Sequence, residues 1–230
     1  MNFDEQLRRI EGRLEQHLGR GALPGRSAHY RMAPPGRPLD IPGSLYSSSL
    51  ESSSSESSSS GQGAYKRAAV LLLLYPAGPR GDIHLPLILR PEDDAVHGGQ
   101  IAFPGGHHEK GEGFPVDTAL REAQEELGIE RESVHVIGEL SPLFVGVSGV
   151  IVTPVLASAR EKPEMLPDPV EVAAFFSIPL QQFREKPLCG EFASRRGSLK
   201  APYFATEAGR VWGATAMILS ELIELVYSGE

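Results

Sequence analysis

A single cysteine, Cys189, among 230 residues excludes an internal disulfide framework and fits a reducing compartment. Long apolar runs are missing too. The longest, Ala68 to Tyr75, falls far short of the roughly 20 residues that span a bilayer. Basic residues are outnumbered, 22 Lys and Arg against 30 Asp and Glu, for a net charge of -8. That balance leaves no footprint for nucleic acid or an anionic membrane, and neither is expected as a partner. The first residues, Met1-Asn2-Phe3-Asp4-Glu5, show no basic n-region and no apolar h-region of a secretory signal. A cytoplasmic location is the expectation. With 40% hydrophobic and 23% charged residues, most of the chain has the material for a core.

Phe3, Leu7, Ile10, Leu14 and Leu18 recur at helical spacing and predict an amphipathic helix that Gly19 and Gly21 stop. Residues 21–46 are rich in Pro and Gly with little periodicity and are expected to wrap over a surface. Residues 47–60 hold 11 serines, too little apolar area to offset ordering entropy, and read as a flexible linker or insertion. From about residue 64 the pattern changes. Strands are expected at 66–75 and 83–90, the latter at an edge or bulge because of Pro86, then at 101–103, 133–140, 149–157 and 170–177. Helices are expected at 117–127 and 214–227. Strands around a central helix plus a closing helix predict an α/β/α sandwich with a mixed sheet. The boundaries read 1–20, 21–46, 47–63 and 64–230.

The helix near 117–127 carries the chemistry. Asp117 suits its N-cap and Gly128 its C-terminal stop. Glu122, Glu125 and Glu126 fall within about 100° of one another on its surface, beside an apolar face of Ala119, Leu120, Ala123 and Leu127. Carboxylates at this spacing repel, and no lysine shares the face. A hard divalent cation would convert repulsion into coordination, and Arg121 stands where it could fix one carboxylate. Spacing alone leaves a solvated acidic face equally open.

The segment from Gly105 to Ile129 resembles the Nudix box, G-x5-E-x7-R-E-U-x-E-E-x-G-U with U apolar. Arg121, Glu122, Ala123, Glu125, Glu126, Gly128 and Ile129 match its second half, and Gly106-x5-Glu112 its first. Eight residues rather than seven separate Glu112 from Arg121, so Glu109 competes for the role of Glu112. Leu87-Ile88-Leu89-Arg90 and His97-Gly98-Gly99-Gln100-Ile101-Ala102-Phe103-Pro104-Gly105-Gly106 are similar to the stretch before the box in coenzyme A diphosphatase-type Nudix hydrolases, which share the longer box. His107 stands where that branch often has lysine. Over residues 64–227 the resemblance implies a Nudix domain that hydrolyses a nucleoside diphosphate linked to a group X. It implies Mg²⁺ or Mn²⁺ held by Glu122, Glu125, Glu126 and Gly106, with Arg121 positioning a glutamate. Glu171, Glu112 and Glu109 are candidates for the base. Arg90, His97, Gln100 and Gly105 are candidates for substrate contact, although His97 and Gln100 could equally cap their loop.

Coenzyme A or acyl-coenzyme A, cut to 3′,5′-ADP and (acyl-)4′-phosphopantetheine, is the first substrate reading. ADP-ribose, NADH or dinucleoside polyphosphates are the second, and a non-catalytic nucleotide-binding module the third. Arg184 and the stretch Arg195 to Lys200 read as a solvated loop or as a contact for the extra phosphate of coenzyme A. Trp212 is expected in the core near the last helix, with base stacking as the alternative. A homodimer is left open.

Overall fold

The computed structural model describes residues 2–21, 23–37, 65–92, 98–194 and 197–227. The serine tract and His97 lie outside the described residues. The chain runs α1 (Phe3–Gly19), α2 (Gly25–Met32), β1 (Lys66–Ala77), β2 (Asp82–Leu89), β3 (Ile101–Ala102), β4 (Gly105–His107), α3 (Val116–Leu127), β5 (His135–Glu139), β6 (Leu143–Val145), β7 (Val150–Ser158), β8 (Ala174–Pro179), β9 (Leu188–Ser194), β10 (Gly197–Thr206), β11 (Gly209–Trp212) and α4 (Gly213–Tyr227).

An eight-stranded sheet follows the order β3-β2-β1-β7-β5, with β4 on β1, β6 on β7 and β8 on β2. β1 and β7 pair in parallel and the other ladders are antiparallel, so the sheet is mixed as expected. The apolar run of β1 has no polar alternation because both of its faces are covered. Leu72 and Leu74 join a core with α1 and α4, while Leu71 and Leu73 pack in a second core with Ala119, Ala123 and Leu127 of α3. These two layers of helix around one sheet are the expected sandwich.

Pro86 lies in an inner strand yet sits at a local edge, with one side unpaired. It pairs across to Ser177 of β8, but on its other side β1 stops at His84 and β3 begins at Ile88. The missing N–H therefore falls where no second ladder needs it. Within 21–46 the described residues Gly25–Met32 depart from expectation, because α2 buries Ala28, His29 and Met32, and residues 38–46 lie outside the described residues. Strand β8 starts four residues later than the expected 170, leaving Glu171 in the turn before it. Of the expected loop from 195 to 200, Arg195 and Arg196 lie outside the described residues, and Gly197 to Lys200 belong instead to β10 of a separate three-stranded sheet, β11-β10-β9. There Trp212 is half-buried and stacks on Phe192, ring centroids 4.3 Å apart.

Candidate active site

The site grows from the place where the sheet parts. β1 pairs with β4 at Ala68 to Val70 and with β2 only from Tyr75 onward. Between them Leu71 N–H donates to Pro104 carbonyl at 2.9 Å, which draws Pro104-Gly105-Gly106 against β1. Glycine is required at 105: its φ is +151°, and a methyl there would overlap the Ala69 carbonyl and the Val70 backbone. At Gly106 a methyl would overlap the carboxylate of Glu122 instead. The double glycine thus lets a helix carboxylate lie directly on the strand.

α3 begins at Val116, one residue before the expected start. Asp117 does not cap it. Its carboxylate accepts the Gly113 N–H at 2.9 Å and pairs with Arg131. The C-terminus is as expected, with Gly128 left-handed at φ 67° and its N–H bonded to Gln124 carbonyl. The last carbonyls of α3 are satisfied from outside: Leu166 N–H donates to Leu127 and Asp168 N–H to Glu126, at 2.8 and 3.0 Å. This docking brings Val170 and Glu171 beside the helix end.

The three carboxylates of α3 part ways. Glu126 is only 2% exposed; its Oε2 accepts the Gly105 N–H at 2.7 Å and its Oε1 lies 3.6 Å from Arg90. Burial pushes its pKa up to about 7, against the opposing pull of Arg90 and Gly105 N–H and with a further push from Glu171. Glu122 is also raised by burial, while Arg121 at 2.9 Å lowers it. Glu125 is half exposed and points to Arg121 Nη1 at 2.6 Å. Arg121 gathers Glu112, Glu122, Glu125 and the His107 carbonyl around one guanidinium. Glu112, which also accepts from Thr118 Oγ1 and Glu109 N–H, is held down to about 2, chiefly by Arg121.

Glu126, Gly105, Arg90 and His107 border a cavity of about 930 Å³. Of the expected site residues, Arg90, Gln100, Gly105, Gly106, Glu126 and Glu171 line it together. Glu122 touches Gly106 from behind, whereas Glu112, Glu109 and Glu125 do not line the cavity. Both polar groups of Gly105 are engaged, the N–H with Glu126 and the carbonyl with Arg90 at 2.6 Å. Residues that sequence reasoning missed complete the wall: Lys66, Val145, Val147, Ser148, Val150 and Ile218. The alternation Lys66, Ala68, Val70 along β1 is the signal that could have placed Lys66 there.

The donor chemistry suits a hard divalent cation. Glu122 and Glu126 bring carboxylate oxygens against the Gly106 and Gly105 backbone without sulfur, and burial raises both, a cost that a cation would relieve. Among the described residues no three His, Cys, Asp or Glu side chains already stand at metal-ligand spacing, and Glu125 faces Arg121.

A NUDIX domain model matches residues 65–197. The chain belongs to the Nudix family. As a Nudix hydrolase it is a pyrophosphohydrolase of nucleoside diphosphates linked to a further group, and the family generally uses divalent cations. It is 39% identical over 142 residues to the uncharacterized Nudix hydrolase NudL of Pectobacterium atrosepticum, across 60% of this chain and 72% of that protein. To Nudix hydrolase 15, mitochondrial, of Arabidopsis thaliana it is 33% identical over 176 residues, 70% of this chain and 59% of that one. The crystal structure of a MutT/nudix family protein from Enterococcus faecalis shares the fold, with a TM-score of 0.50 at 15% identity over 74% of this chain and 65% of that one. No helix among the described residues is long and apolar enough to cross a membrane.

Proposed function

We propose that this Nudix hydrolase cleaves coenzyme A or an acyl derivative of it to 3′,5′-ADP and (acyl-)4′-phosphopantetheine. One observation carries the choice of substrate. The cavity that ends in Glu126 and Glu171 continues along an apolar wall of Val145, Val147, Val150, Val152, Ala214 and Ile218. A diphosphate bearing a long, weakly polar arm suits that combination, whereas ADP-ribose offers sugars to a valine wall.

In this reading Glu122, Glu125, Glu126 and the Gly106 backbone hold Mg²⁺ or Mn²⁺. When bound, the metal neutralises charge on the diphosphate oxygens and acidifies the attacking water. Arg121 fixes Glu122 and Glu125 through its fork. Glu171, on the cavity wall, accepts the proton of the attacking water. Arg90, Gln100 and Gly105 face the substrate, with Arg90 keeping Gly105 and Glu126 in place, and His97, outside the described residues, is assigned to the same role from the sequence.

The test is a substrate panel of coenzyme A, NADH, ADP-ribose and diadenosine polyphosphates with Mg²⁺, with products identified by mass. Release of 3′,5′-ADP is expected. AMP from the others with coenzyme A untouched overturns the substrate, and binding without any turnover overturns the catalytic reading.

A further inference from the structure

The strand that carries the double glycine also presents a side chain that the fold leaves idle. Along β4 and just past it the residues alternate between two faces. A methyl on Gly106 would point at the Glu122 carboxylate of α3, and the His108 ring lies against Phe114, with its Nδ1 3.3 Å from Thr118 Oγ1 of α3. His107, between them, therefore faces the opposite way. It stands opposite Ala68 in register, and both line the cavity. Two strand residues separate its position from that of Gly105, ~7 Å at the ordinary rise of a strand, so its ring rises one repeat past the Gly105–Glu126 contact.

The backbone here is fixed, and the ring takes no part in fixing it. Arg121 Nη2 donates to the His107 carbonyl at 2.9 Å, and the His108 N–H donates to the Arg67 carbonyl at 2.9 Å. The His107 imidazole is exposed and makes no hydrogen bond, ion pair or ring contact among the described residues. Other side-chain donors on the cavity wall are committed: Arg90 to the Gly105 carbonyl and Glu126, Ser148 to the Val145 carbonyl, Thr215 to the Ile101 carbonyl. Lys66 stands further from Gly105, two residues before Ala68 at the exposed start of β1 and beside Val150. A ring N–H on a rigid strand with no protein partner is completed by an acceptor from the ligand. In the reading above, Gly106 and Glu126 hold the metal that carries the diphosphate, which brings phosphoryl oxygens to the next residue in the chain.

We propose that the His107 imidazole donates a hydrogen bond to a non-bridging oxygen of the substrate's diphosphate and so positions it for attack. The contact is to the part common to every nucleoside diphosphate linked to a group X. It therefore rests on the metal-site reading above and not on the choice of coenzyme A. Its effect is on how tightly the diphosphate is held, and X is left to the rest of the cavity.

The test pairs two readouts. One is the Kd of α,β-methylene-ADP, a diphosphate analogue that is not cleaved, titrated calorimetrically in Mg²⁺. The other is steady-state kinetics on the substrate that wild type turns over. His107→Ala should weaken the analogue and raise KM, each about tenfold, the size of one hydrogen bond to a charged group, with kcat within about twofold. His107→Phe, a ring without a donor, should behave like His107→Ala, whereas His107→Asn, which restores an N–H, should recover most of the affinity. His135→Ala, at an exposed histidine away from the cavity, should match wild type. Melting temperatures should all stay near that of wild type, because the His107 ring makes no bond within the fold. An unchanged Kd in His107→Ala overturns the proposal, as does a fall in kcat alone. A lowered melting temperature that tracks the lost affinity overturns it in favour of a structural role. Weakened analogue binding in His107→Ala, with coenzyme A untouched by wild type, upholds it and overturns only the substrate. Wild type that neither cleaves a substrate nor binds the analogue overturns both it and the metal-site reading.

Discussion

Glu126 is a carboxylate with almost no water and two polar neighbours, Gly105 N–H and Arg90 at 3.6 Å. Its pKa of about 7 in the metal-free fold, against 4.5 for a free glutamate, means that the folded chain holds a proton that the unfolded chain releases. The stabilisation from that proton is complete below about 4.5 and is lost as pH rises through about 7. Thermal melts of metal-free protein should therefore show a decline over this window, and Glu126→Gln should flatten it. The same substitution should lower kcat by at least about a hundredfold with the circular dichroism unchanged; undiminished turnover would remove Glu126 from the chemistry. Glu112 behaves in the opposite way. Arg121 depresses its pKa to about 2, so its contribution is present above 4.5 and lost as pH falls toward 2. Arg121→Lys, a point charge facing four acceptors, should raise the pH of acid unfolding and cut kcat/KM at least about tenfold; an unmoved acid limb would deny Arg121 its grip on Glu112.

At the scale of elements, the site depends on how closely β4 approaches β1 and α3. Gly105→Ala places a methyl against the backbone of Ala69 and Val70 in a conformation that favours glycine, and should destabilise the fold by about 3 kcal/mol. Gly106→Ala meets only the Glu122 carboxylate, which can swing away. It should leave urea stability within about 1 kcal/mol of wild type while activity collapses. Equal stability losses would deny the distinction between a backbone clash and a displaced carboxylate. The helix behind these glycines was legible because its signals are local: an apolar stripe, a clustered acidic face and Gly128 at the stop. Its start was misread by one residue because Asp117 spends its carboxylate on the preceding loop. β9 to β11 were not legible at all, since Leu188–Ser194 is half-buried only at Gly190 and Phe192 and exposed at its other positions, too weak an alternation to announce a strand. Nor could the separation of Glu125 from Glu126 be read from the wheel, which gives angles but not the Arg121 fork or the Gly105 N–H that draw them apart.

Across the whole molecule, α4 joins parts of the chain that sequence order keeps distant. Its first turns line the cavity through Ala214, Thr215 and Ile218, and Thr215 donates to the Ile101 carbonyl at 3.1 Å. Further along, Glu221 is fully buried. It accepts the Gly25 N–H at 3.0 Å and the Ser141 N–H at 3.3 Å, and meets His29 Nε2 at 2.9 Å. His29 and Glu221 stand 192 positions apart, and neither sits in a motif, so no local pattern announces the pair. The N-terminal helices are thus fixed to the catalytic body by a polar anchor as well as by Phe3, Leu7, Ile10, Leu14 and Met32 in the shared core. Removing the carboxylate leaves two backbone N–H groups and an imidazole buried without an acceptor, a loss of roughly 3 kcal/mol or more. Glu221→Ala should lower the melting temperature by roughly 10 °C and expose the segment around α2 to protease first, because α2 loses its anchor while the sheet keeps its own. Since none of the groups around Glu221 lines the cavity, kcat measured well below the new midpoint should stay near that of wild type. A variant that melts as wild type does would show that hydrophobic packing alone holds the N-terminal helices in place.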